Sequence, residues 1–190
     1  MSKINDLKVG VRLGGAFAVV GVLLCGAVGV GAAGISSARE ATDRLEAGTA
    51  VRGAALTAKF RTADFAGWQT GYAFDTLRGV PKAADDTVGQ RKNFVASTAA
   101  FREDLDELAG LELTATQREG LRRAESAFED FMDVDGRIVA AYRDGTPARM
   151  DEANDLVAGE ALEHFERAAT AVDELATEAV ANAAAAAADA

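Results

Sequence analysis

No charged side chain occurs between Arg12 and Arg39, and this constrains the chain more than any other feature. A bilayer's hydrocarbon core is about 30 Å thick, and a helix crosses it with about 20 apolar residues. The run Leu13–Ala38 is long enough to do so with some tilt. Lys3, Lys8 and Arg12 precede it with the single acid Asp6, and strongly acidic sequence follows. Basic flanks stay on the cytoplasmic side. The pattern predicts a cytoplasmic segment over 1–12, a transmembrane helix over 13–35 and an extracytoplasmic domain over 36–190. A cleaved secretory signal is the alternative, with Val30-Gly31-Ala32 or Gly31-Ala32-Ala33 as a small-residue cleavage site. Against it, the apolar run is about twice the roughly 7–15 residues of a signal's apolar region. Both readings put the remainder of the chain outside the cytoplasm.

Charge and composition exclude several functions. The net charge is −10. Three bases and one acid in the first twelve residues leave about −12 for the rest, which argues against a nucleic-acid partner. The only cysteine, Cys25, lies inside the apolar run, so no disulfide is expected and no thiolate site. A single histidine, His164, rules out paired-histidine zinc motifs, and neither a phosphate-binding GxxxxGK[ST] loop nor a GxSxG elbow is present. No nucleophile, base and orienting group can be assembled. The chain therefore reads as a non-enzyme, with no metal and no cofactor.

The acidic part reads as all-α. Ala, Glu, Leu, Arg and Asp dominate it, and its only prolines are Pro81 and Pro147. Start and stop signals divide it into four helices. The first runs from about Ser36 to Arg78, with Gly79 at its end and Val80-Pro81 forbidding continuation. The second is expected from Pro81 to Ala109. Thr114-Ala115-Thr116-Gln117 has the form of a capping box opening the third, which ends at Asp144-Gly145. Thr146-Pro147 opens the fourth, which has no stop signal before Ala183–Ala188.

Apolar spacing supplies the packing faces. The expected seams are Phe60, Ala63, Gly67, Thr70, Phe74 and Leu77 on the first helix, and Phe94, Phe101, Leu105, Leu108 and Leu111 on the second. On the third they are Leu121, Ala124, Phe128, Phe131, Ile138 and Tyr142, interrupted by Asp135, and on the fourth Val157, Ala161, His164, Ala168, Ala171 and Leu175. Asp135 either pairs with an arginine of a neighbouring helix or faces outward. Short connections predict an antiparallel up-down-up-down four-helix bundle, preceded by one transmembrane helix continuous with the first bundle helix. At 1.5 Å per residue the first helix extends about 64 Å beyond the membrane and the middle pair about 45 Å. The first and last helices alone then reach the bilayer, which implies a second crossing beyond Ala190 and a longer parent protein.

A basic start, an uncharged crossing, an exported four-helix bundle and a last helix aimed back at the membrane resemble the N-terminal half of a methyl-accepting chemotaxis protein. Within it, Ala63-Asp64-Phe65-Ala66-Gly67-Trp68-Gln69-Thr70-Gly71-Tyr72-Ala73-Phe74-Asp75, followed by Arg78-Gly79, looks like the end of the first sensor helix of such receptors. The resemblance implies a homodimer and a small-molecule ligand or a solute-binding protein at the membrane-distal part. It also implies a signal passed on by displacement of the last helix, to a kinase and adaptor complex in the full-length protein. The same type of bundle also stands in front of sensor histidine kinases and cyclases. An exported, membrane-anchored structural bundle without ligand is the rival from another class.

Six residues are singled out as candidate ligand contacts: Arg61, Trp68, Gln69, Tyr72, Asp75 and His164. Positions 68, 72 and 75 share a helix face distinct from the Phe60–Leu77 stripe. Two aromatics with polar tips and a carboxylate there fit a ligand slot or a dimer seam, or else ordinary edge packing. Arg61 and His164 fall at about the same level of an antiparallel pair and would together hold an anion. The plainer reading pairs Arg61 with Asp64 and leaves His164 as a seam residue. The doublets Asp85-Asp86 and Glu103-Asp104 diverge by about 100° on a helix and read as solvated faces.

Overall fold

The structure, a computed structural model, describes residues 9–188. Most of the expected cytoplasmic segment 1–12 therefore lies outside the described residues. The described chain is all-helical. Helix α1 spans Val9–Leu77, α2 Gly89–Ala109 and α3 Ala115–Asp144. The fourth helix is composite: α4 (Pro147–Leu156), a π turn (Val157–Ala161) and α5 (Leu162–Ala188).

Helix α1 is unbroken because no proline interrupts it before Pro81, and its scattered glycines only weaken it. It stops where expected. Gly79 takes φ +72°, its N–H donates to Thr76 O, and Val80 N–H donates to Asp75 O. This is the paired-bond helix stop that favours glycine. In its N-terminal part a window of mean hydropathy 2.3 has no residue buried. Phe17, Val22, Leu23, Val28 and Val30 are all exposed there. This helix is long and apolar enough to span a membrane.

The second helix does not begin at Pro81. Residues 78–88 form consecutive turns, and α2 starts at Gly89. Lys82 sits at φ +60°, a left-handed backbone that a helix cannot include. Asp85 then accepts hydrogen bonds from the Thr87 N–H and the Thr87 hydroxyl. Such short-range bonds offer the backbone an alternative to the helix. The later signals hold. Thr114 and Gln117 form a reciprocal capping box, Gly145 closes α3 at φ +73°, and Pro147 opens α4. The π turn at Val157–Ala161 carried no sequence signal.

The packing faces of the later helices match the seams, with Phe94, Phe101, Leu105, Leu108, Phe128, Phe131, Ile138, Ala161, Ala168 and Leu175 all buried. On α1 the expected stripe is wrong. Phe60, Phe74 and Leu77 are 77, 58 and 55 % exposed. The buried face is Val51, Ala55, Ala58, Thr62, Phe65, Gln69 and Tyr72. Both rows have helical spacing. The second wins because its small residues let α2 and α5 approach, and because its polar members find buried partners.

Neighbouring helices meet at defined pairs. Between α1 and α5, Lys59 Nζ lies 2.5 Å from an Asp173 oxygen and the Phe65 ring 6.3 Å from that of Phe165. Between α1 and α2, Arg61 Nε binds Asp104 at 3.0 Å, and the Ser97 hydroxyl donates to Asp64 at 2.6 Å. Arg102 reaches Glu129 from α2 to α3, and Arg123 reaches Glu174 from α3 to α5. Phe65 is the aromatic centre, with its ring 5.0–5.5 Å from Phe101, Phe128 and Phe131.

Candidate functional site

The chemically distinctive part of the molecule lies under the 78–88 turns. Asp135, on the buried face of α3, is 1 % exposed. Its Oδ1 accepts from Gln69 Nε2 at 3.1 Å and from the Tyr72 hydroxyl at 2.5 Å, both on α1. Its Oδ2 accepts from the Arg91 guanidinium at 2.6 Å, from α2. Three helices thus converge on one carboxylate. A buried charge is tolerated only when paired and hydrogen-bonded, and both Asp135 oxygens are so served. Of the two expected arrangements, the inward one with an arginine partner is correct.

Arg91 extends the network outward. Its Nε donates to Asp86 Oδ1 at 2.8 Å, and its guanidinium lies 5.0 Å from the Tyr72 ring centre and 4.6 Å from that of Phe94. Asp86 Oδ2 in turn accepts from Arg143 at 3.0 Å, and Arg143 Nε donates to the Ala84 carbonyl at 3.1 Å. Asp86 therefore bridges an arginine of α2 and an arginine in the last turn of α3. The cleft beside this bridge has a volume of about 470 Å³ and is lined by Thr76, Lys82, Asp85, Thr87 and Tyr142 among others. Tyr142 donates to Asn154 on α4.

The electrostatics follow the geometry. Burial pushes the Tyr72 phenol well above its usual range, and the adjacent Asp135 charge adds to the push. Burial alone would lower the Arg91 guanidinium, but Asp135 and Asp86 more than reverse it. The Arg91 hydrogen bond, helped by Arg143, holds the Asp86 carboxyl below its ordinary value despite partial desolvation. The Asp85 carboxyl is held low by its bonds from Thr87. Tyr72 is a neutral donor and Arg91 a fixed cation at any physiological pH.

The six candidate residues separate. Gln69 and Tyr72 meet on Asp135. Trp68 is partly buried against the core beside them, so this face of α1 packs within the chain. Asp75 contributes its backbone carbonyl to the helix stop. Arg61 does not join His164, nor does it pair with Asp64. It points to α2 and binds Asp104, while Asp64 is taken by Ser97. His164 faces α3, with Nδ1 3.7 Å from Asp130 and buried without a hydrogen bond.

Sequence reading missed Arg91, Asp86 and Arg143. Asp86 is no plain solvated carboxylate, because the segment that carries it is not helical and aims it at two arginines. The available signal was Asp135 on an apolar seam, which demands a buried cation, with Arg91 near the start of the Phe94–Phe101 stripe. Among the described residues no cluster of His, Cys, Asp and Glu fits a metal ion. No family model matches the chain, and no curated protein or solved structure matches it either.

Proposed function

We propose that the chain is the sensory domain of a transmembrane receptor of the chemotaxis type. Its α1 crosses the membrane over residues 13–35 with the N-terminus inside, and residues 36–190 form an extracytoplasmic antiparallel up-down-up-down bundle. The contact order supports that arrangement: Gly48 lies against Ala183, Lys59 against Asp173 and Phe65 against Phe165, so α1 and α5 run in opposite directions. The observation that favours signalling over a plain anchor is the continuity of α1. One helix joins the unburied apolar run to Gln69 and Tyr72 on the buried Asp135. A change at the turn end therefore acts on a rod that leads into the membrane. Displacement of the last helix against that rod is the output, and no chemistry is performed on the ligand.

The receptor works as a homodimer. Its seam is the exposed row Phe60, Gly67, Phe74 and Leu77 on α1, in place of the Trp68–Tyr72 face that packs inward. A row of large exposed apolar side chains is what a partner helix covers.

The test is a hybrid in which this chain replaces the sensory part of a chemoreceptor whose kinase output is measurable. Asp135→Asn and Arg91→Met are expected to shift the basal output, while a substitution at exposed Glu103 leaves it unchanged. Output indifferent to every substitution at the turn end would leave an anchored structural bundle as the answer.

A further inference from the structure

We propose that Asp86 is a built-in occupant of an anion site, and that the carboxylate of a small solute competes with it for Arg91 and Arg143. The inference does not depend on the membrane reading, since it concerns one cleft of one chain.

A carboxylate held by two guanidiniums from different helices is the geometry used to bind free carboxylates and phosphates. Here the carboxylate belongs to the chain. Asp86 Oδ1 takes the Arg91 bond at 2.8 Å and Oδ2 the Arg143 bond at 3.0 Å. Asp86 and Arg143 are each about half exposed, whereas Arg91 is buried and fixed from behind by Asp135. The outer half of the cradle is thus accessible and its inner half rigid. A cleft of about 470 Å³ opens beside it, large enough for a small organic acid.

Asp86 is also the member free to leave. It sits in the 78–88 turns, outside any helix. Its neighbour Lys82 holds a left-handed backbone that only a few per cent of non-glycine residues adopt. When Asp86 swings away, Arg143 and Lys82 face the cleft. Asp85 remains engaged with Thr87, and Asp135 remains buried on the far side of Arg91. The vacated cradle is locally cationic within an acidic molecule, so a bound anion is recognised by contact and not by long-range attraction. Exchange of the occupant would unpin the turn segment from α2 and α3 without disturbing the Asp135 core.

The experiment is a titration of the full chain in detergent micelles with sodium acetate, against sodium chloride at equal ionic strength, followed by NMR on the Arg91 and Arg143 guanidinium signals. A site occupied by its own carboxylate about nine-tenths of the time binds a competitor about tenfold more weakly than a vacant one. Asp86→Ala is expected to tighten acetate binding about tenfold, and Asp86→Ala with Arg143→Ala to abolish it. Asp86→Asn, which retains the side chain's shape, is expected to gain affinity in the same direction and serves if Asp86→Ala melts, as judged by circular dichroism. Unchanged acetate affinity in the Asp86 variants, an unaltered response in the double variant, or equal shifts with chloride would each overturn the proposal.

Discussion

The two ends of the packed helices are held by different physics. At the turn end the core is aromatic and ionic: the Tyr72 and Phe94 rings flank Arg91, and one carboxylate, Asp135, accepts from three side chains. At the other end, α1 and α5 meet through Val51, Ala55, Ala58, Ala171, Val172, Ala176 and Ala179, and Gly48 lies so close to Ala183 that an added Cβ would sit 3.1 Å from its methyl. The first end specifies one arrangement, because a displaced Asp135 would lose directional bonds at low dielectric. The second end is smooth. Alanine faces give close contact with little interdigitation, and neighbouring registers resemble one another. The molecule fixes its register where the polar network is.

The comparison is broken most severely at Asp135. Asp135→Ala leaves the Arg91 guanidinium, only 8 % exposed, with half-exposed Asp86 as its one remaining carboxylate. Removing one partner of a buried pair costs about 3–5 kcal/mol, and the expected outcome is a large drop in thermal midpoint of the full chain in detergent. Combining Arg91→Met with Asp135→Leu should cost much less than the sum of the single changes, because no uncompensated charge remains. A double variant as unstable as Asp135→Ala would show that the aromatic packing, not the ion pair, sets this end's stability.

The alanine end is probed by size. Gly48→Leu places a full side chain against Ala183 and the Ala179 carbonyl, and overpacking of this kind costs about 1–3 kcal/mol. Gly53 on the same helix has nothing within 4 Å of an added Cβ. Gly53→Ala should therefore stabilise the helix by about 0.5–1 kcal/mol. Equal effects at the two glycines would mean that α1 and α5 do not rely on close approach.

How far the sequence alone could reach follows the same division. Turn chemistry with a single meaning was legible: the Gly79 stop, the Thr114–Gln117 box and the Gly145-Thr146-Pro147 junction all form. The seams of α2 and α3 were legible because each has one apolar row. Helix α1 has two rows, and hydrophobicity favours the wrong one. Phe60, Phe74 and Leu77 are more apolar than Thr62, Gln69 and Tyr72; Thr62 is buried with its hydroxyl on the Lys59 carbonyl of its own helix, and Gln69 and Tyr72 are buried on Asp135 of another. Pairing between residues 63 positions apart, as for Tyr72 and Asp135, leaves no local pattern. Nor do residues 81–88 announce their turns, since Pro81 is equally acceptable at the first position of a helix.

Acid should separate the two ends next. Asp85, Asp86 and Asp144 have their carboxyls held below the ordinary value, and all three lie at the turn end. A carboxyl lowered in the folded state contributes stability that is present above its unfolded value of 3.8 and is lost as pH falls through the lower folded one. Below about pH 4 the amides of residues 83–92 should therefore gain hydrogen exchange before those of residues 51–58 do. In Asp86→Asn this acid-induced step should shrink. Simultaneous loosening of both ends would place the acid-sensitive groups elsewhere.

The smallest expected change in stability carries the sharpest test of how copies meet. Phe60 and Phe74 point away from both the aromatic core and the alanine face, at 77 and 58 % exposure. Surface substitutions outside named stabilising features stay within about 0.5 kcal/mol, so Phe60→Ser with Phe74→Ser should leave the thermal midpoint of the monomer nearly unchanged. Arg78 lies 5.6 Å from the Phe74 ring centre, and that contact is exposed enough to matter little. Association is a different quantity. Large exposed apolar side chains on one helix face lose their water only against another surface, and two such anchors removed from each copy should weaken self-association by at least tenfold. Sedimentation of the full chain in micelles, compared with the double variant at matched protein-to-detergent ratio, reads this directly. A variant that associates as strongly as the parent would move the seam off this face, and a parent that stays monomeric would remove the homodimer altogether.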